Sequence, residues 1–259
     1  MSKISIITIN YNNLEGLKRT IESVVNQTWQ EFEYIVIDGG STDGSAIYIE
    51  SQSQHIDYWV SEPDKGIYNA MNKGIAKATG EYLLFLNSGD HFFNSNVLEE
   101  NHEFLVLQDI IYFNLNVSDD KSSFLKKYPD ELLFSYFVKD TLPHPSTFIK
   151  ASLFDKVGLY DESLKIVSDW KFFMESVCKF NSTYKRIDQT LSTFYLDGLS
   201  SDSGNKTLIF EESQRVLKTE FKAYINDINQ FYELKATVLS LKKSRKIKVL
   251  IKLGLLNKF

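Results

Sequence analysis

Three aspartates, each at or just beyond the end of an apolar segment, are the first candidates for chemistry. Asp38 ends the segment at residues 32–38, Asp64 follows 56–61 and Asp90 follows 81–86. If these segments are strands of one sheet, the carboxylates meet at one edge and repel one another unless a cation or hydrogen-bond donors separate them. Oxygen ligands suit Mg²⁺ or Mn²⁺, which commonly bridges a diphosphate to one or two carboxylates. The alternative is that each aspartate only caps a helix or forms a turn.

The elements that must position these aspartates alternate between strand and helix. Residues 3–9, 32–38, 56–61 and 81–86 are apolar, β-branched runs typical of buried parallel strands. Apolar residues at helical spacing lie between them, and Gly80 stands where a helix C-cap is expected. Four strands alternating with three helices predict an open α/β sheet whose ligands lie beyond the carboxyl ends of the strands.

The rest of the chain is less regular. Strands are predicted at 109–117 and 146–149, a rigid extended segment at 143–145, and a helix at 169–179. Beyond Gly204 the pattern predicts helix over 208–234 and then a basic stretch to 254. We therefore expect one domain over 1–204 and a helical C-terminal extension over 205–259.

Composition narrows the class of protein. The chain has 259 residues, 43% of them apolar, which is enough for a full core. No apolar run approaches the roughly 20 residues that span a bilayer. Cys178 is the only cysteine, which excludes an intramolecular disulfide and a multi-cysteine zinc site. With no targeting segment visible, a cytoplasmic location is expected.

The charge is unevenly distributed along the chain. The net charge is −5, yet residues 234–259 hold eight basic and no acidic residues, which leaves a net charge of −13 on residues 1–233. A basic amphipathic helix of this kind can lie on anionic lipid at the inner face of the cell membrane. The alternative is that it docks on the acidic body or on a partner subunit of a homo-oligomer. Nucleic-acid binding is not expected, because the body is acidic and no aromatic residues interleave with the basic ones.

The usual phosphate-binding loops are absent from the sequence. No G-x-x-x-x-G-K-[ST] is present and no G-x-G-x-x-G follows the first predicted strand. The glycine-rich run at 39–44 is by itself a tight turn that opens a helix. If the chain binds a nucleotide, we expect it to do so without a phosphate-cradling loop.

Five segments in order resemble the inverting family-2 nucleotide-sugar glycosyltransferases. They are SIITINYN at 5–12, ESVVNQT at 22–28, YIVIDGGSTDGS at 34–45, SEPDKGIYNAMNKG at 61–74 and GEYLLFLNSGD at 80–90. The resemblance is strong over 3–92, fainter over 143–202 and absent from the tail. It implies a GT-A-like, Rossmann-related open mixed sheet flanked by helices, a nucleotide-sugar donor that is expected to be a UDP-sugar, and Mn²⁺ or Mg²⁺ as cofactor.

The resemblance also implies roles for individual residues. The nucleoside is expected to be held by residues at the first two strand ends, with Asp64 adding a contact to the base. The donor-binding set comprises Asn10, Tyr11, Asp38, Asp64, Lys65 and Ser88. Asp90 stands where the last carboxylate of the family's D-x-D-type motif binds the metal.

Two departures from the family pattern affect the expected site. Asn87, Ser88 and Gly89 replace the acids that usually precede Asp90, so that the motif keeps one carboxylate. His144, held between two prolines, is a candidate to complete the metal site, with a histidine hydrogen-bonded in a loop as the alternative.

Met71 stands where many members carry an arginine before the Asn, so Lys65 or Lys73 is expected to supply the positive charge.

Asp169 is the candidate catalytic base. The segments VGLYDE at 157–162 and SDW at 168–170 resemble the region of the family that ends in the base. An inverting transfer needs one carboxylate to take the proton of the acceptor hydroxyl as it attacks the anomeric carbon. The alternative role for Asp169 is an N-cap on the following helix.

The sequence therefore predicts an inverting glycosyltransferase, of the hexosyl or N-acetylhexosaminyl class, that extends a bacterial surface polysaccharide or glycolipid. Its acceptor would be a hydroxyl of a saccharide or a lipid-linked saccharide. A non-catalytic nucleotide-sugar-binding subunit of a polysaccharide-synthesis complex is the alternative. A sugar-nucleotide pyrophosphorylase is disfavoured, because the first predicted strand is followed by NYNN rather than by a loop rich in glycine and basic residues.

Overall fold

The computed structural model describes residues 3–119, 122–196 and 198–257. In this part of the chain nine strands form a single mixed sheet, with strand order β3-β2-β1-β4-β8-β6-β9-β5 and β7 paired to β6. The strands are β1 (Ile4–Asn10), β2 (Phe32–Asp38), β3 (Tyr58–Ser61), β4 (Tyr82–Phe85), β5 (His91–Phe92), β6 (Ile110–Ser118), β7 (Ser123–Lys126), β8 (Thr147–Lys150) and β9 (Tyr184–Tyr195).

Ten α-helices connect these strands or follow them within the described residues. They are α1 (Leu14–Val25), α2 (Ser45–Ser51), α3 (Ile67–Lys77), α4 (Val97–Asn101), α5 (Phe134–Phe137), α6 (Ala151–Val157), α7 (Ser168–Cys178), α8 (Lys206–Glu220), α9 (Lys222–Lys243) and α10 (Arg245–Lys252). The predicted alternation of four strands with three helices is confirmed, and strand ends shift by at most two residues.

The first four strands form the parallel half of the sheet. Strand β1 is fully buried and lies between β2 and β4, which explains why isoleucines occur on both of its faces. Leu17, Ile21 and Val24 of α1 join the hydrophobic cluster that contains Ile4 and Ile6. A Cβ added to Gly74 would lie 2.6 Å from Ile7 Cγ2, so α3 packs on the opposite face. Helices therefore cover both faces, as the sequence predicts.

The other half of the sheet reverses direction at β8. Strand β8 runs antiparallel to both β4 and β6, while β9 is parallel to β6 with a shift in register near Phe113 and Asn114. The strands predicted at 109–117 and 146–149 are confirmed as β6 and β8. The expected mixed α/β sheet flanked by helices is therefore confirmed.

Three details of the sequence-based prediction are wrong. Helix α3 ends at Lys77 with Ala78 as its C-cap, so Gly80 is not a cap. A Cβ on Gly80 would lie 2.5 Å from the backbone nitrogen of Ser5, and glycine is needed there because the chain passes close to β1. Residues 143–145 are not uniformly extended, since a 3₁₀ turn covers His144–Ser146. The helix predicted over 208–234 is interrupted at Phe221.

The described chain divides into two compact units, one up to Glu212 and one from Ser213 onward. In the second unit α10 contacts α9. Leu253 and Leu255 are about two-thirds exposed beside the basic residues of α10. No helix within the described ranges is both long and apolar enough to cross a membrane.

Candidate functional site

The register of the parallel strands brings their polar carboxyl ends to one edge. Asn10 of β1 lies opposite Asp38 of β2, and Asp38 lies opposite Ser61 of β3. Asp38 is fully buried. Its Oδ1 accepts hydrogen bonds from Asn10 Nδ2 (2.7 Å) and Ser41 Oγ (2.6 Å), and its Oδ2 accepts from Ser61 Oγ (2.6 Å) and the Ser41 amide (2.9 Å).

These hydrogen bonds determine the charge state of Asp38. Burial by itself would raise the pKa of this carboxyl, but the donors on Ser41, Ser61 and Asn10 outweigh burial and lower the pKa below its usual value. Asp38 therefore fixes the relative position of the loops after three strands while its own oxygens face protein donors. Direct contact between Asp38 and a nucleoside stays a prediction.

Tyr11 and Asp64 lie against Gly39, the residue after Asp38, and we call these three residues the donor cleft. A Cβ at this position would lie 2.5 Å from Asp64 Oδ2 and 3.1 Å from Tyr11 Cδ2. Tyr11 is 67% exposed, and Asp64 Oδ1 accepts the Gly66 amide at 2.8 Å, which turns Oδ2 toward Gly39. An aromatic ring, a bare backbone and a carboxylate thus meet, an arrangement that can stack a planar base and accept its N–H. The structure brings two predicted donor residues, Tyr11 and Asp64, together here.

The loop after β4 carries Asp90 and is anchored to α1. The Thr20 hydroxyl donates to the Asp90 carbonyl at 2.6 Å and accepts from the Gly89 amide at 3.0 Å, and Arg19 Nε donates to the Gly89 carbonyl at 3.0 Å. Gly89 has φ +111, a backbone conformation that disfavours other residues. Asp90 is 7% exposed. The turn holds this carboxylate beside the strand ends.

The turn of Asp90 contains oxygen atoms that could serve as ligands of a divalent cation shared with a diphosphate. The amide nitrogen of Asp90 donates to the Asn87 carbonyl, and the buried Asn87 Oδ1 lacks a hydrogen-bond partner among the described residues. No group of three His, Cys, Asp or Glu side chains within those residues is placed to hold a metal by itself. Mg²⁺ is typically bound by one or two carboxylates together with substrate phosphates and water, so one carboxylate and one amide oxygen match its requirements.

The remaining predicted donor residues lie around this edge. Ser88 donates to the Asn13 carbonyl at 3.2 Å, and Lys65 is exposed with its amide donating to Asn69 Oδ1. Lys73 forms an ion pair with Glu62 at 2.7 Å. Met71 is buried in the core. Since the charge of Lys73 is matched by Glu62, Lys65 is the better candidate for the expected positive charge.

His144 lies in an aromatic cluster under the site. Its ring stacks on Phe85 with centroids 4.8 Å apart, and Nε2 contacts the Tyr160 hydroxyl at 2.8 Å. Burial lowers the pKa of His144, although the nearby Asp169 carboxylate acts in the opposite direction. This arrangement agrees with the alternative of a packed, hydrogen-bonded histidine. A metal role would have to use Nδ1 and stays an untested prediction.

Asp169 lies in the first turn of α7 and is half-buried. The N-cap position is Val167, so the alternative that Asp169 caps this helix is wrong. Its Oδ1 accepts a hydrogen bond from the Tyr68 hydroxyl at 2.8 Å. The positive end of the helix dipole favours a carboxylate in this turn. The role of Asp169 as the catalytic base stays a prediction.

Sequence reasoning missed several side chains that hold the site together. The hydroxyls of Ser41 and Ser61 donate hydrogen bonds to Asp38, and the Tyr68 hydroxyl donates to Asp169. On α3, Tyr68 and Asn72 are buried, whereas the apolar residues Ile67 and Ile75 are only half-buried. The only sequence signal for Tyr68 is its position in the segment SEPDKGIYNAMNKG at 61–74, which also contains the predicted donor-binding residues Asp64 and Lys65.

Comparisons with known proteins agree with this arrangement. Residues 5–153 match the family described as glycosyl transferase family 2. The chain is 37% identical over 183 residues to an uncharacterized glycosyltransferase of Mycobacterium tuberculosis, covering 68% of this chain and 70% of that protein. It is 30% identical over 180 residues to a PGL/p-HBAD biosynthesis glycosyltransferase of Mycobacterium bovis, covering 65% and 67%.

Two solved structures are similar in fold. TarS of S. aureus, in complex with UDP, has a TM-score of 0.62 at 17% identity and covers 84% of this chain and 72% of its own. The mannosyltransferase PcManGT from Pyrobaculum calidifontis, in complex with GDP-Man and Mn²⁺, has a TM-score of 0.59 at 12% identity and covers 96% and 82%. These likenesses confirm the GT-A-like class that the sequence predicts.

Proposed function

The chain belongs to glycosyl transferase family 2, and from this premise we propose that it transfers a hexosyl or N-acetylhexosaminyl group from a UDP-sugar to a saccharide hydroxyl with inversion. The observation that carries the proposal is the cleft of Tyr11, Gly39 and Asp64 at the strand ends, with Asp90 following a neighbouring strand. The cleft suits a base, and Asp90 suits the diphosphate that follows it. Related folds bind UDP, UDP-GlcNAc and GDP-Man, which supports a nucleotide-sugar donor.

The proposed chemistry is a single displacement at the anomeric carbon. Asp169 takes the proton of the acceptor hydroxyl as that oxygen forms a bond to the anomeric carbon. The bond from this carbon to the diphosphate oxygen breaks on the opposite face, and its electron pair leaves with the nucleoside diphosphate. Asp169 is half-buried, so part of the side chain remains accessible to an acceptor.

In this proposal Asp90 and Asn87 would hold Mg²⁺ or Mn²⁺ together with the diphosphate. Such an ion would supply stabilisation of the negative charge that develops on the leaving group. A neighbour of similar fold contains Mn²⁺, which supports the choice of a divalent ion. Lys65 adds positive charge near the same edge.

The proposal is tested by screening UDP-glucose, UDP-GlcNAc and GDP-mannose for hydrolysis with and without Mn²⁺. We expect one donor to be hydrolysed only with the ion, and calorimetry to show UDP binding that tightens with it. Metal-dependent UDP binding without turnover of any donor, in the presence of saccharide acceptors, would favour the non-catalytic subunit. Absence of UDP binding would contradict both functions.

The expected acceptor is a saccharide or lipid-linked saccharide of a bacterial surface polymer or glycolipid. One relative, two-thirds of which aligns with this chain, is named a PGL/p-HBAD biosynthesis glycosyltransferase. This name supports a role of the present chain in glycolipid assembly. We place the reaction in the cytoplasm, where nucleotide sugars are made. The C-terminal helices are then proposed to lie on the inner face of the membrane.

The membrane proposal is supported by charge and exposure on α10 and the residues after it. Helix α10 has basic residues along its length, and Val249, Leu253 and Leu255 are more than half exposed. Each basic residue near an anionic surface contributes about 1 kcal/mol of binding. A second copy of the chain is the alternative occupant of this surface.

Charge reversal on α10 is expected to weaken membrane binding. The full chain should float with vesicles of phosphatidylcholine and phosphatidylglycerol but poorly with phosphatidylcholine alone. The triple variant Arg245→Glu, Lys246→Glu and Lys248→Glu should bind the anionic vesicles about 100-fold more weakly. Equal flotation of the parent chain and the triple variant with the anionic vesicles would contradict lipid binding through α10. Dimerisation of the parent chain but not of the triple variant would favour a second copy of the chain as the occupant of this surface.

A further inference from the structure

Tyr68 links the helix beside the donor cleft to the candidate base. It lies in the first turn of α3 and is 3% exposed. Its hydroxyl lies 2.8 Å from Asp169 Oδ1 and also contacts the Ile166 carbonyl. Because 101 residues separate Tyr68 from Asp169 in sequence, only the folded chain brings them together.

The same helix fixes the segment that leads to Asp169. Asn72 Nδ2 donates to the Tyr160 carbonyl at 2.9 Å, and the Tyr160 amide donates to Asn72 Oδ1 at 3.1 Å. Asn69 and Asn72 each donate to the Glu162 carboxylate at 2.9 Å. Four hydrogen bonds therefore hold residues 160–162 on α3, which keeps the loop before α7 at a fixed distance from Tyr68.

The donor cleft is attached to this helix as well. The Lys65 amide donates to Asn69 Oδ1, and Asp64 accepts the amide of Gly66, the residue directly before α3. Asn69 thus contacts both the loop of Asp64 and the carboxylate of Glu162. Helix α3 joins the side chains proposed for the donor to the segment proposed for the acceptor.

We propose that Tyr68 is a positioning residue for the general base: its hydroxyl holds Asp169 Oδ1 and leaves Oδ2 for the acceptor hydroxyl. The inference rests on the proposed function, in which Asp169 takes the acceptor proton. A hydrogen bond to one oxygen fixes the rotation of the carboxylate, and a carboxylate needs a defined direction to remove a proton in line with attack. Tyr68 itself transfers no proton.

The surroundings of Tyr68 favour a hydroxyl that stays protonated and can donate a hydrogen bond. Burial, and then the charge of Asp169, raise the pKa of Tyr68 well above its usual value, so its hydroxyl keeps its proton. The charge of Asp169 also acts on the buried side chains of Tyr160 and His144. Burial raises the pKa of Tyr160 and lowers that of His144, which favours the uncharged form of each side chain.

Tyr160 offers a matched control. It is as buried as Tyr68, its ring lies 5.7 Å from the Tyr68 ring, and its hydroxyl contacts His144 Nε2. Tyr68→Phe and Tyr160→Phe each remove one hydroxyl from the same cluster and keep the ring. A general loss of packing or stability affects both variants, whereas loss of a hydrogen bond to Asp169 affects only the first.

The test measures the Asp169 carboxyl directly in ligand-free protein. Carbon-13 carboxyl NMR would detect its signal, which is assigned by its loss in Asp169→Asn. Because the Tyr68 hydroxyl contacts Asp169 Oδ1 directly, Tyr68→Phe should shift this carboxyl signal, and Tyr160→Phe should leave it in place. This readout needs no substrate, so it stands apart from the test of the proposed function.

Turnover of the donor found in the screen supplies the second readout. Tyr68→Phe should lower kcat about 10- to 100-fold with UDP affinity within about twofold of the parent, while Tyr160→Phe changes neither by more than about twofold. An unmoved Asp169 signal in Tyr68→Phe, or equal effects of the two variants, would overturn the proposal. If the signal moves but no donor is turned over by the parent, the proposed function fails and the positioning role with it.

Discussion

Replacing Asp169 by Asn is expected to lower kcat for sugar transfer about 10²- to 10⁴-fold, the usual range for loss of a positioned general base. Asn has the same shape and can still accept from the Tyr68 hydroxyl, so the local fold should persist. UDP affinity should not change, because the donor cleft lies at the strand ends and Asp169 lies on α7. Steady-state kinetics with calorimetry of UDP binding would measure both quantities.

The control is Asp155→Asn, which removes a carboxylate from an exposed position on α6. It should match the parent in both measurements. Transfer by Asp169→Asn at more than one-tenth of the parental rate would mean that another group takes the acceptor proton.

Replacing Asp90 by Ala is the second large effect expected. Turnover should fall roughly 10²- to 10⁴-fold, since a bound cation contributes several kcal/mol to the transition state and each 1.4 kcal/mol is a factor of ten. UDP should bind to the variant equally well with and without Mn²⁺. Chelation of the parent protein with EDTA should reproduce the same loss, and added Mn²⁺ should restore only the parent.

Asp64→Asn gives a matched comparison within the same site. Loss of the Asp64 carboxylate should weaken UDP binding by a similar factor with and without Mn²⁺, because Asp64 lies beside Gly39 rather than in the loop of Asp90. If Asp90→Ala kept the tightening of UDP binding by Mn²⁺, the metal would be held elsewhere. The two variants together separate contact with the base from contact with the diphosphate.

The parallel half of the fold was predictable because two of its strands, β1 and β4, are buried on both faces. Ile4, Ile6 and Ile7 place large apolar side chains on both faces of β1, which is typical of a buried parallel strand. Strand β9 was not predicted, since its buried and exposed residues do not alternate regularly and it pairs with β6 far away in sequence. Pairings of this kind depend on tertiary contacts that local pattern does not record.

The site was predictable where residue type and strand end coincide, as for Asn10, Asp38 and Asp90. The site was not predictable where a side chain donates a hydrogen bond to a residue far away in sequence. In the sequence Tyr68 is one aromatic residue of an amphipathic helix, and only the folded structure shows its hydrogen bond to Asp169. The burial of His144 against Phe85 was not predictable either, because its flanking prolines indicate a rigid segment and say nothing about which side chains the ring contacts.

The clamp between Asn72 and Tyr160 has a consequence for how the molecule is made. Tyr11, Gly39 and Asp64 belong to the same compact unit as Asp169, and such a unit generally folds as a whole. A chain that stops short of residue 160 contains Asn72 without its partner in the clamp. The clamp therefore ties the docking of the segment before Asp169 to the completion of the whole unit.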